Sequence, residues 1–154
     1  EYARSLLLVA AKARRHPLDF AAHRKGHGVV CGRFIRSGDL VVDFLGELYP
    51  PWRWSEKQDA IKLIKKNKGI KADGTAPEFY NMQLERPKGD GNGYGLLFVD
   101  AMHCTNYSAR LSHSCTPNVE VRVRAINGRY AINFYALRDV APGEELCYDY
   151  NTVT

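Results

Sequence analysis

The sequence predicts a mainly β domain with a few helices, an α+β arrangement, and three observations carry that expectation. Short runs rich in β-branched and aromatic residues recur between glycine- and proline-bearing turns. One stretch, 119–137, alternates apolar and polar residues on both sides of Asn127 and Gly128, a pair suited to a type I′ hairpin turn. No strand–helix–strand rhythm of a parallel sheet is present. With 154 residues, 45% hydrophobic and 25% charged, the chain is the size of one domain able to bury its own core.

Residues 2–15 are rich in helix formers and stop before Pro17, which predicts a helix leading into the domain. From Gly28 the pattern turns to β: "GVVC", then "DLVVDFLGEL" at 39–48, separated by the turn "RSGD". "SEKQDAIKLIKKN", 55–67, predicts a helix with Ser55 and Gln58 as a capping box and an apolar stripe of Ala60, Ile61, Leu63 and Ile64 beneath a basic outer face. "EFYNMQLE", 78–85, and "LLFVDA", 96–101, predict two strands around a glycine-rich loop. The 119–137 hairpin follows, and "APGEE" turns the chain into a last run, "LCYDYN".

Composition excludes several classes. The longest apolar stretch, 5–11, is far short of a membrane span and lacks a signal-peptide cleavage pattern. Cys31, Cys104, Cys115 and Cys147 are widely spaced with no CxxC pair, which fits reduced thiols better than a disulfide framework. The net charge of +5 is concentrated in "KARRH" and "KLIKKNKGIK". Such runs favour an acidic partner such as chromatin, but without interleaved aromatics or a reading motif no sequence-specific nucleic-acid binding is expected. Beginning at Glu1 and ending in "YNTVT", the chain reads as a piece of a longer protein.

Three local motifs invite chemistry. "GDGNGYG" matches the first, third and sixth places of a calcium loop at Asp90, Asn92 and Gly95, yet Ala101 stands where a bidentate glutamate is needed. Cys115 with His113 offers a nucleophile and a base, without an evident orienting partner. His103, Cys104, His113 and Cys115 contain zinc-ligating atoms but not the usual spacing.

Taken together and in order, "GHG", "DFLGE", "HSCTPN", the hairpin and "PGEELCYDYN" resemble the SET-domain protein lysine methyltransferases over roughly residues 24–151, and more particularly the plant-type trithorax-related group. The resemblance implies a fold of short sheets with a C-terminal pseudoknot. It divides the chain into an N-terminal helical flank, 1–19, a SET domain, 20–151, with a variable substrate-facing insert at about 50–100, and the start of a C-terminal extension, 152–154. It implies S-adenosylmethionine as cofactor and a protein lysine as substrate, most naturally lysine 4 of histone H3, in the nucleus and with chromatin-complex subunits as partners. A weakly catalytic SET-like binding or scaffold module is the alternative.

By the same resemblance, Tyr150 and Tyr148 are the catalytic tyrosines, Tyr148 at the position that influences how many methyl groups are added. Gly26, His27, Gly28, Glu78, Tyr80, Ser112, His113 and Tyr150 face the cofactor, and Phe44 and Tyr148 wall the lysine channel. Cys115 is a zinc ligand only if a C-terminal cysteine cluster is present. Three positions depart from the family pattern. Ser112 replaces an asparagine, Arg110 lies one residue nearer the histidine than the familiar arginine, and Phe44 replaces a channel tyrosine. Serine offers one hydroxyl where asparagine offers two donors and an acceptor.

Overall fold

A computed structural model describes residues 18–23, 26–69, 80–85, 95–126 and 129–150. The expected helix at 2–15 lies outside these residues, as do Glu78, most of the glycine-rich loop, and the Asn127–Gly128 turn. Four small sheets hold the described chain together. β1 (Leu18–His23) pairs antiparallel with β2 (Gly26–Cys31), so a strand that sequence periodicity did not predict precedes the "GHG" segment.

"DLVVDFLGEL" is not one strand but two. β3 (Leu40–Phe44) and β4 (Glu47–Tyr49) belong to different sheets, with Gly46 between them. A Cβ on Gly46 would lie 2.5 Å from the carbonyl oxygen of Asp100. Only glycine lets the chain pass so close to the next strand as it changes sheets.

The helix α1 spans Pro51–Asn67, beginning four residues before Ser55. Proline at its first position has its fixed φ suited to a helix start and lacks an N–H that would be orphaned there. Ser55 therefore does not cap; its hydroxyl donates to the carbonyl of Pro51 at 3.1 Å. Nor does the expected apolar stripe face inward, since Leu63 and Ile64 are exposed. The inner side is set by Trp54, whose ring stacks on Phe98 at 5.3 Å and leans on Tyr49 at 5.9 Å. β4 pairs with β6 (Leu96–Asp100), which pairs with β5 (Asn81–Glu85), giving the sheet β4-β6-β5 under the helix.

The 119–137 alternation becomes β8 (Val119–Ile126) and β9 (Arg129–Ala136), in register from Val119 with Ala136 to Ile126 with Arg129. β9 is the centre of the sheet β3-β9-β8, and Phe134 on it is fully buried with Val29, Ile35, Val119, Val140 and Leu146. Gly143 supplies the positive φ of 84° that turns "APGEE".

The last strand, β10 (Cys147–Tyr148), pairs parallel with β7 (Ser112–His113). On its other side the preceding residues bond to β2: Leu146 N donates to Val29 O at 2.8 Å and Cys31 N to Glu144 O at 2.8 Å. The C-terminal segment is thus wedged between the N-terminal sheet and the 110–118 loop. That is the contact pattern expected of the pseudoknot.

Candidate active site

Asn118 fixes the wedge. It is buried, its Nδ2 donates to Glu145 O at 2.8 Å, its Oδ1 accepts from Cys147 N at 2.9 Å, and its own N–H reaches Cys147 O at 3.2 Å. Pro117 stiffens the turn before it, and the amide answers backbone groups that no strand pairs. β10 is consequently held in one register, and its side chains are aimed by backbone bonds rather than by their own.

From β10 a chain of rings runs outward. Phe44 lies 6.3 Å from Phe134, Phe134 meets Tyr148 edge-on at 5.0 Å, Tyr148 lies 4.6 Å from Tyr150, and Tyr150 lies 5.2 Å from His113. Phe44 is buried in the core at one end, whereas Tyr150 is exposed at the other. The Tyr150 hydroxyl donates to Leu111 O at 2.7 Å, and its N–H donates to His113 Nδ1 at 3.2 Å. An accepting Nδ1 leaves the proton of the neutral imidazole on Nε2, which faces Cys115 Sγ at 3.4 Å. Asp149 Oδ1 is 3.7 Å from Nδ1.

Burial pushes the Tyr148 hydroxyl above the ordinary tyrosine range, with the neighbouring Tyr150 adding to the shift. Although the residue as a whole is exposed, desolvation of its part-buried hydroxyl also raises Tyr150, helped by Tyr80 and Cys147. At neutral pH both hydroxyls therefore stay protonated and act as hydrogen-bonding groups, not as bases. The burial that raises Tyr148 also disfavours a cation beside it, so a lysine side chain placed there would be driven toward its neutral amine.

Around this pair stand the other expected residues. Tyr80 is half-buried, and Arg110 Nη1 donates to its hydroxyl at 2.7 Å while the guanidinium lies 4.5 Å over its ring. Ser112 Oγ donates to Glu145 Oε1 at 2.6 Å. Gly28 is buried on β2, and Gly26 and His27 share that strand. The wedge brings β2, β7 and β10 together, uniting residues separated by more than a hundred positions; Glu78 lies outside the described residues. The zinc set of His103, Cys104, His113 and Cys115 does not assemble among the described residues. Cys115 next to His113 has the atoms of a nucleophile–base pair, but the imidazole is committed through Nδ1 to the Tyr150 backbone.

Three contributors escaped sequence reasoning. Phe134 was visible only as one of several apolar hairpin residues, and Asn118 as the end of a turn. Glu145 stood in "GEEL" without a sign that its carboxylate meets Ser112.

A wedged C-terminal segment carrying paired tyrosines against a glycine-bearing N-terminal strand defines a class, and comparison with known proteins agrees with it. Residues 26–151 match the SET domain family model, and the chain belongs to that family. Over 137 residues it is 52% identical to the histone-lysine N-methyltransferase ATXR3 of Arabidopsis thaliana, covering 88% of this chain and 6% of that protein. It is 32% identical over 131 residues to the histone-lysine N-methyltransferase trithorax of Drosophila virilis, covering 85% of this chain and 3% of that protein. The chain therefore spans only a small part of the curated relatives it matches. Among solved structures, ctPRC2 in an autoinhibited conformation bound to S-adenosylmethionine superposes with a TM-score of 0.65 at 22% identity, over 88% of this chain and 15% of that one. That likeness supports the fold.

Proposed function

We propose that this chain is the methyl-transferring domain of a nuclear histone-lysine N-methyltransferase that uses S-adenosylmethionine and acts on lysine 4 of histone H3, in company with chromatin-complex subunits. The observation that carries the reading is the Tyr148–Tyr150 pair, presented at the end of a segment held between β2 and β7. The relatives' names support the substrate class, and the plant-type trithorax-related resemblance supports the choice of lysine.

The residues present fit the donor. S-adenosylmethionine is cationic at its sulfur and its amine, with a flat purine, and the wedge offers aromatic rings at Tyr150 and His113, a carboxylate at Glu145 and the glycine backbone of β2. When bound, it supplies an electrophilic methyl group to an amine. The chain's own tasks are to keep that amine neutral and to align it. Low polarity around Tyr148 serves the first task, and the two hydroxyls, held in place by edge-on and tilted ring contacts, serve the second. Neither residue forms a covalent bond. Zinc at Cys115 would need ligands from outside the described residues, and no step depends on it.

Incubating the protein with isotopically labelled S-adenosylmethionine and whole histones, followed by peptide mass spectrometry, tests this reading. Label on lysine 4 of histone H3 is expected. Binding of the donor without transfer to any histone would favour the weakly catalytic scaffold alternative, and failure to bind the donor would remove the cofactor assignment.

A further inference from the structure

The sheet β3-β9-β8 has two faces, and the wedge uses only one. Phe134 turns inward beneath Tyr148, so the next residue of β9, Tyr135, turns to the opposite face. There two arginines of β8 lie against it. The guanidinium of Arg122 is 4.7 Å from the Tyr135 ring centroid and that of Arg124 is 6.0 Å from it, and Arg124 Nη1 donates to the Tyr135 hydroxyl at 2.6 Å. The tyrosine is buried and both arginines are exposed. Being two residues apart on a strand, the arginines share one face with their Cα atoms about 7 Å apart.

The charges on this face are unequally answered. Arg122 is bridged to Glu120, and Asp43, further across on β3, accepts from Asn133 Nδ2. Arg124 has no carboxylate partner among the described residues: its bond goes to a neutral hydroxyl, and the strand position opposite it is Ala131. Arg53, Lys62 and Arg138 differ in this respect, since each reaches a carboxylate, on Glu56, Asp59 and Glu144. Arg124 therefore keeps a full positive charge and unused N–H groups, held in place by a ring and a hydroxyl instead of an anion.

The complement of such a face is an anion, and its form narrows the choice. Guanidinium N–H groups match phosphate oxygens in geometry as well as charge. Two guanidiniums in line along a rigid strand suit a polyanion whose charges are evenly spaced and already fixed; an acidic peptide would have to order its side chains to reach them. The tyrosine ring is covered by the arginines and so is closed to base stacking, which leaves backbone contact without sequence readout. We infer that the outer face of β8, centred on Arg124 with Arg122 beside it, contacts the phosphate backbone of duplex DNA. Because the face lies on the far side of the sheet from Phe134 and Tyr148, the contact stands or falls separately from the methyl-transfer reading.

Fluorescence anisotropy with a labelled duplex of arbitrary sequence, repeated over a salt series, tests the contact. Each neutralised phosphate adds about −0.9 to the slope of log affinity against log salt. Arg124→Gln should therefore make the slope shallower by about one, so that the wild type's advantage shrinks roughly threefold between about 50 and 200 mM salt. Arg124→Lys keeps the charge and should keep the slope. Glu120→Gln, which removes the carboxylate from Arg122, should tighten binding. All three variants should methylate a short histone H3 peptide as the wild type does; a wild type inactive on the peptide would count against the methyl-transfer reading and leave the DNA contact standing. An unchanged slope in Arg124→Gln, weaker binding in Glu120→Gln, or no duplex binding by the wild type would overturn the inference. So would an unchanged duplex slope combined with weakened binding of poly-glutamate by Arg124→Gln, which would assign the face to an acidic protein segment. Should Arg124→Gln unfold the hairpin, Glu120→Gln decides the outcome, since its charge change predicts an effect of opposite sign.

Discussion

The two halves of the domain are fastened by different means. In the C-terminal wedge, a buried asparagine satisfies the Glu145 carbonyl and the Cys147 N–H of the last segment, and Tyr148 stands on a fully buried phenylalanine. In the insert, α1 buries no residue completely, and hangs on the β4-β6-β5 sheet by the Trp54 stack and by Lys57, whose ammonium reaches Asp100 Oδ2 at 2.6 Å and Tyr49 Oη at 2.9 Å. We propose that the difference separates tasks. Chemistry that depends on alignment within a few tenths of an ångström belongs on the over-determined side. Recognition of a variable peptide suits an element with few anchors, which can shift without disturbing the reacting groups.

The hardest test of the wedge is Tyr150→Phe. Its hydroxyl is held by Leu111 O and its ring by Tyr148 and His113, so the substitution removes one polar group without emptying the site. An interaction made mainly in the transition state should cost turnover on the order of 10²-fold while donor affinity stays nearly constant. Single-turnover methyl transfer beside calorimetric binding gives both numbers. Near-normal turnover would remove Tyr150 from the machinery.

Stability should follow the same division. Asn118→Ala takes the amide partner from the Cys147 N–H and the Glu145 carbonyl, both partly buried, and should cost about 3 kcal/mol in urea unfolding. Lys57→Met leaves the buried Asp100 carboxylate with only the Met102 N–H, and should cost about 2 kcal/mol, less than a deeply buried pair because Lys57 is partly solvated. A larger loss at Lys57 than at Asn118 would reverse the comparison. The pH dependence has a definite sign. Burial alone would lower the Lys57 pKa, but the hydrogen bonds to Asp100 and Tyr49 outweigh it and raise it above the ordinary value. A raised folded-state pKa means that the increment is complete below the unfolded lysine value near 10.4 and disappears as pH rises through the higher folded value. Wild type and Lys57→Met should therefore converge in stability only in strong alkali.

How much of this was legible in the sequence depends on whether local pattern or long-range contact decided the outcome. The β8–β9 hairpin was readable because alternation and an Asn-Gly turn are local signals, and the register they imply is the one formed. The start of α1 was misplaced because Ser55 has the chemistry of a cap, while Pro51 has the backbone geometry of a first turn, and geometry prevailed. Its buried face was misread since aliphatic spacing pointed to Leu63 and Ile64, whereas the sheet below is aromatic and receives Trp54. The split of 39–48 turned on the close approach of Gly46 to Asp100, which no single strand pattern encodes. At the site, the tyrosines and the His113 segment were found by motif. Asn118 and Glu145 act through partners about thirty residues away, and only the folded wedge reveals those contacts.

The finest test concerns how many methyl groups the wedge permits. Tyr148 lies between Phe134 and Tyr150, so its hydroxyl is the inner polar group of the ring series, while Phe44, where the family pattern has tyrosine, is buried in the core and contributes none. One hydroxyl that restrains the amine, directly or through water, makes rotation of a methylated amine into line less favourable. A missing one at position 44 removes a second restraint. A hydrogen bond of this kind is worth about 1 kcal/mol net, which changes a product ratio by about fivefold but does not close a channel. The wild type should therefore pass beyond monomethylation, and Tyr148→Phe should shift products further toward trimethyl-lysine with activity retained. Mass spectrometry of a methylated histone H3 peptide reads the distribution directly. Identical distributions would show that the inner hydroxyl does not count methyl groups, and would place that control among the less firmly anchored residues of the insert.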